Sequence, residues 1–82
     1  MGELVIVRLT YDPDADSALV YLVDHIPPGG APRSLMCDLE MRDGAVILLM
    51  NEEEQLLGIE LLGASRLLPT AALNSAEIAD RT

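Results

Sequence analysis

The sequence predicts a mainly β domain, or α+β with a small helical part. It reads as one small antiparallel meander of about five strands, ending in a short C-terminal helix or a frayed tail. Three observations carry this reading. Residues 35–41 alternate, with Leu35, Cys37, Leu39 and Met41 on one face and Met36, Asp38 and Glu40 on the other; a period of two marks a strand. Four further apolar runs, at residues 4–10, 18–23, 45–50 and 56–62, have strand length. Clusters of Pro, Gly, Asp and Asn separate these runs, as turns do.

Taken in order, residues 4–10 are rich in Val and Ile, with Arg8 expected toward solvent. Residues 11–17, Tyr-Asp-Pro-Asp-Ala-Asp-Ser, read as a turn in which Pro13 fixes one dihedral and the aspartates bond back to nearby amides. Residues 18–23 return as the second strand of a hairpin. Pro27-Pro28-Gly29-Gly30 and Pro32 form the strongest breaker cluster in the chain, an exposed loop around His25. The alternating third strand ends at Arg42-Asp43-Gly44, a hairpin turn. Residues 45–50 are continuously apolar, which predicts a central strand covered on both sides. After the acidic turn Asn51-Glu52-Glu53-Glu54-Gln55 comes the fifth strand, ended by Gly63-Ala64-Ser65. A helical turn at residues 66–68 stops at Pro69, and Asn74 with Glu77 has capping-box spacing for a helix over 75–81. The domain is expected over residues 1–70, with 71–82 as the tail.

The 82 residues leave room for one domain. A chain of this size buries only about 60–65% of its unfolded surface. Half of its residues are apolar, yet it has no Phe or Trp and only Tyr11 and Tyr21 as rings, so the core is aliphatic. So much aliphatic surface on a small body predicts a homodimer. Fourteen acids face five arginines, with no lysine, for a net charge of −9. That balance argues against nucleic acid, which needs clustered cations, and against an anionic membrane. It suits solubility, or a basic protein partner. A lone cysteine, Cys37, demands no oxidising compartment, and Met1-Gly2-Glu3 starts acidic where a secretory leader starts positive. A cytoplasmic protein is expected.

Candidate chemistry is sparse. Asp12, Asp14 and Asp16 alternate like the opening of a calcium loop, but its sixth and twelfth positions are Ser17 and Val23 rather than Gly and Glu. A hairpin turn is the preferred reading, with the three aspartates as weak metal candidates. Glu52, Glu53 and Glu54 read as a solvated turn, at the opposite end of the sheet from the aspartates. Glu60 lies between Ile59 and Leu61, where full burial without a partner is costly. Its face is therefore expected to meet solvent or an arginine such as Arg8, Arg42 or Arg66, with a ligand or interface role as the alternative. His25 reads as a surface loop residue and Cys37 as a small buried hydrophobe without reactivity. Pro28-Gly29-Gly30 lacks the lysine and helix of a phosphate loop. Nothing pairs a nucleophile with a base, so no enzyme and no cofactor are expected.

Two segments together resemble the bacterial domain-of-unknown-function family 2283. Residues 11–21, Tyr-Asp-Pro-Asp-Ala-Asp-Ser-Ala-Leu-Val-Tyr, are similar to that family's opening Y-D-x-x-x-D-x-L-Y pattern. Residues 57–65, Leu-Gly-Ile-Glu-Leu-Leu-Gly-Ala-Ser, are similar to its closing G-I-E-I-L-x-A-S pattern. The likeness covers about residues 4–68. Where the family usually has an Asp-x-Asp-Gly turn this chain has residues 51–55, and the Pro-Gly loop and the tail look like additions. The resemblance implies a small antiparallel β domain of unassigned activity. It also implies an antitoxin-like role, since some relatives are thought to be encoded beside small toxin-like proteins. From these residues the ligand or partner candidates are Glu60, Asp12, Asp16 and Tyr21. The expected function is a non-enzymatic, homodimeric protein-interaction domain, with a basic toxin-like protein as further partner. The alternative is a small-ligand or divalent-metal module using the aspartate loop or Glu60.

Overall fold

In the computed structural model, which describes residues 7–39 and 43–79, one mixed sheet of six strands carries two short helices. The strands are β1 (Arg8–Asp12), β2 (Ser17–Tyr21), β3 (Arg33–Leu39), β4 (Gly44–Met50) and β5 (Leu56–Leu62). After them come α1 (Ala64–Leu67), α2 (Thr70–Ser75) and β6 (Glu77–Ile78). The mainly β class and the five long strands are as the patterning predicts. Parts of the expected first strand (residues 4–6), third strand and its turn (40–42) and last helix (80–81) lie outside the described residues.

The strand order is β3-β4-β5-β2-β1-β6. Two hairpins, β1–β2 and β3–β4, are extended by β5, which pairs antiparallel with both β4 and β2. The second strand thus pairs with the fifth rather than the third. The Pro-Gly loop makes this possible, because it is long enough to carry the chain past β5 and β4 to the far edge. Within it Gly30 N–H donates to the Pro27 carbonyl at 2.8 Å, with Gly29 at φ 76°; proline then glycine at the two central positions is the pattern of a type II turn.

The tail joins the sheet. β6 pairs parallel with β1, Thr10 opposite Glu77 and Tyr11 opposite Ile78, and Ala79 N–H donates to the Tyr11 carbonyl. Because β5 and β1 flank β2 and are both antiparallel to it, β5, β1 and β6 all run the same way. The α1–α2 segment is therefore a crossover connection. The helix expected over 75–81 lies instead at Thr70–Ser75. Pro69 ends α1 and immediately precedes α2, where its missing N–H costs nothing. Ala76 is extended (φ −73°, ψ 149°), so the Asn74–Glu77 capping box does not form, and the ladder to β1 takes those residues.

Cross-strand partners share a face of the sheet. One row holds Thr10, Leu19, Glu60, Ile47 and Met36; the next, on the other face, holds Tyr11, Ala18, Leu61, Val46 and Cys37. The buried apolar residues among those described are Ala18, Ala45 and Ala64, and no large side chain is fully buried. β4 lies next to the edge rather than at the centre, and apart from Ala45 its residues are half-exposed. The expectation of a doubly covered β4 is not met among the described residues, where α1 covers the strand at its start, with Leu67 against Gly44. Among the described residues no helix is long and apolar enough to cross a membrane.

Candidate functional site

The β1–β2 turn is held by two carboxylates with different tasks. Asp12, at the end of β1, is buried and its Oδ1 accepts from Asp14 N–H at 3.0 Å and Ala15 N–H at 3.4 Å. This is the aspartate turn expected from sequence. Asp16 has a positive φ of 51° and reaches the other way, toward the end of β5. Its carboxylate accepts from Ser65 Oγ (2.8 Å), Ser65 N–H (2.9 Å) and Tyr11 Oη (2.9 Å). Its carbonyl accepts from Gly63 and Ala64 N–H, both at 2.9 Å. The Ser65 hydroxyl bond, then the Ser65 amide and the Tyr11 hydroxyl, hold the Asp16 carboxyl below its ordinary range. The bond to Asp16 likewise raises the Tyr11 phenol.

Gly63 is required in this junction. Its φ of 77° is left-handed, and a Cβ there would sit 2.9 Å from the Asp43 carbonyl. Tyr11, Asp16 and Gly63-Ala64-Ser65 thus form one latch that fastens the first hairpin to the end of β5. The Asp16 carboxylate already has three donors and is a structural residue in this arrangement.

On the face of the row through Glu60, a shallow cleft of about 290 Å³ opens over β1, β2 and β5. Thr10, Asp12, Ser17, Leu19, Tyr21 and Glu60 line it. Glu60 is half-buried between Leu19 and Ile47, and its carboxylate has no hydrogen bond or ion pair among the described residues. Two of the three arginines expected to meet it, Arg8 and Arg66, are engaged elsewhere. Arg8 lies 4.7 Å above the Tyr21 ring, donates to the Asp24 carbonyl at 2.7 Å and pairs with Glu77 at 3.4 Å. Arg66 donates to the Asp43 carbonyl at 2.8 Å and approaches its carboxylate. Arg42 lies outside the described residues. Beside Glu60, Gly58 admits a close neighbour, since a Cβ there would meet the Val20 carbonyl at 2.8 Å and Ile26 Cδ1 at 3.0 Å.

The remaining candidates are dispersed. Asp14 is exposed, and no group of three His, Cys, Asp or Glu among the described residues could hold a metal ion. Glu52, Glu53 and Glu54 are exposed in a turn built on Asn51, whose Oδ1 accepts from Glu53 and Gln55 N–H. Ser17 opposes Leu62, whereas Tyr21 opposes Gly58 near the start of β5, so this turn and the aspartates do occupy opposite ends of the sheet. His25 is exposed, as expected. Cys37 is also exposed, which corrects the expectation of a buried thiol. Its strand is the sheet edge, where residues 33–37 are all exposed.

The model of the family described as "Protein of unknown function (DUF2283)" matches residues 8–65. The chain belongs to this family. No curated protein and no solved structure matches it. The DUF2283 match begins with β1 and ends on Ser65, so it takes in both halves of the latch, while α2 and β6 fall outside it. Sequence reasoning missed Ser65 as the partner of Asp16, and Thr10, Ser17 and Leu19 as neighbours of Glu60. The alternation of Ser17, Leu19 and Tyr21 was the available signal. It points to the cleft only once β2 is known to pair with β5.

Proposed function

We propose that this member of the DUF2283 family is a non-enzymatic protein-interaction domain that works as a homodimer in the cytoplasm, with a basic protein as its further partner. The state of the core carries the reading. Among the described residues the buried apolar side chains are three alanines, although half of the chain is apolar. Burial of apolar surface contributes about 25 cal/mol per Å², so half-covered leucines, isoleucines and valines are a reserve that association draws on. A net charge of −9 without a single lysine suits a basic surface on the second partner. The antitoxin-like role implied by the family resemblance has the same charge logic. Light scattering across micromolar concentrations tests the dimer, and a monomer mass at every concentration refutes it. Co-purification with a basic protein encoded next to it tests the second partner.

A second reading rests on Glu60. A carboxylate without a partner among the described residues, beside Asp12 and the hydroxyls of Thr10, Ser17 and Tyr21, suits a small cationic ligand or a divalent metal. Calorimetry with calcium, magnesium, manganese and a small primary amine tests it. Absence of heat in all four titrations removes it.

A further inference from the structure

We infer that residues 69–79 are a detachable strap, which closes the β1 edge and one wall of the cleft and swings away as a unit while the rest of the sheet stays folded. The inference needs neither the dimer nor a ligand in the cleft. The chain changes character at the end of α1. Up to there it is pinned to the sheet: Ala64 is fully buried, Ser65 is bonded to the Asp16 carboxylate, and Leu67 lies against Gly44. Leu68 and Pro69 then run extended, with ψ of 144° and 152°. Beyond them α2 buries none of its residues, has no side-chain cap, and carries no acid in its first turn and no base in its last. Six residues are too few to hold a helix in water unaided.

What holds the strap lies at its far end. β6 has two register pairs with β1, against five each for β1–β2 and β2–β5. Among the described residues its further ties to the sheet are Ala79 N–H, donating to the Tyr11 carbonyl at 2.8 Å, and the Arg8–Glu77 pair at 3.4 Å. Glu77 and Ile78 are both exposed. Solvent-exposed backbone bonds and little buried apolar surface mark a segment that opens far more readily than the whole fold. Opening also returns conformational freedom to the whole segment. The strap covers two things. Its strand pairs with the outer side of β1, whose backbone is left open on release. Ala79 lines the cleft together with Thr10, Asp12 and Glu60, so release also removes one of its walls. The strap thus sets when the β1 edge and the cleft are accessible. The DUF2283 match ends on Ser65, before the strap begins, in keeping with a sheet that stands without it.

The test is amide hydrogen exchange on the full chain, followed residue by residue by NMR, with Glu77→Gln and Ser65→Ala as variants. The Ala72, Leu73, Ala76 and Ala79 amides, all bonded in the structure, report on the strap. They should share one protection factor, at least about tenfold below that of the β2–β5 ladder. Glu77→Gln removes an exposed ion pair and should speed all four by the same factor, up to about fivefold. Ser65→Ala weakens the latch, which stays closed when the strap opens. It should speed the ladder by about threefold or more and leave the four strap amides unchanged. Should a variant unfold, the unaltered chain decides, with brief thermolysin digestion as its second measurement. There the first cut should fall within residues 69–79, and the remaining fragment should keep its β circular dichroism. Fraying of Ala79 alone, with the α2 amides as protected as the ladder, overturns the unit. Strap amides as slow as the ladder, or speeded equally with it by Ser65→Ala, overturn the strap, as does loss of the β signal after the first cut.

Discussion

Gly63→Ala tests the latch, and Gly29→Ala supplies its internal control. Both glycines have nearly the same left-handed backbone, φ 77° and 76°. An L-residue there costs roughly 1–2 kcal/mol, offset by about 0.4–1 kcal/mol because alanine restricts the unfolded chain. The surroundings differ. A Cβ at Gly29 meets nothing within 4 Å, whereas at Gly63 it lies 2.9 Å from the Asp43 carbonyl and from Arg66 Nη2. The arginine can swing away, but the carbonyl belongs to the turn before β4 and must shift with it. Forced packing of this kind costs roughly 1–3 kcal/mol. The expected losses are therefore about 0.5–1 kcal/mol for Gly29→Ala and about 2–4 kcal/mol for Gly63→Ala. In a domain of this size 1 kcal/mol moves Tm by about 4–8 °C. Urea unfolding followed by circular dichroism, at one fixed protein concentration, measures both. Equal losses in the two variants would show that backbone conformation alone matters at Gly63, and the close-approach argument would fail.

The acid response of Asp16 follows from its three donors. Its carboxyl titrates below the ordinary 3.8 in the fold, so its contribution is complete above that value and is lost as pH falls through the depressed one. Asp16→Asn should melt below the unaltered chain at neutral pH, and the gap between their Tm values should narrow below about pH 4; a constant gap would contradict the assignment. Glu60→Leu should raise stability by about 0.5–1 kcal/mol, because it replaces a half-buried carboxylate with no partner among the described residues by an apolar neighbour of Leu19 and Ile47; a loss in denaturant melts would reveal a hidden partner. Glu54 has φ 63° in the acidic turn, so Glu54→Gly should gain about 0.5 kcal/mol after losing an exposed ion pair with Arg33. A clear loss of Tm would mean that pair outweighs the strain.

Much of the sheet was legible in the order of residues because strands and turns are local. The alternation at 35–41, the Pro-Gly and Asp-Gly breakers and the apolar run at 56–62 placed five strands within a few residues of where they lie. Charge, composition and the lone cysteine are properties of the chain itself, and so are the function classes they disfavour. The family resemblance also came from residues alone, and the match over 8–65 bears it out.

Tertiary structure decided what pairs with what. Nothing local tells β2 to pair with β5 rather than β3, since both are apolar strands and the choice depends on how far the Pro-Gly loop lets the chain travel. The apolar run of β4 looked central because apolarity reports tolerance of burial, while its cover depends on where the two short helices settle. Cys37 was misjudged for the same reason, its alternation being real and its strand an edge. Glu60 and Asp16 were both visible as acids in odd places. Only the strand order brought Ser65 and Tyr11 to Asp16 and left the Glu60 carboxylate facing a cleft, because both outcomes rest on contacts between residues far apart in the chain.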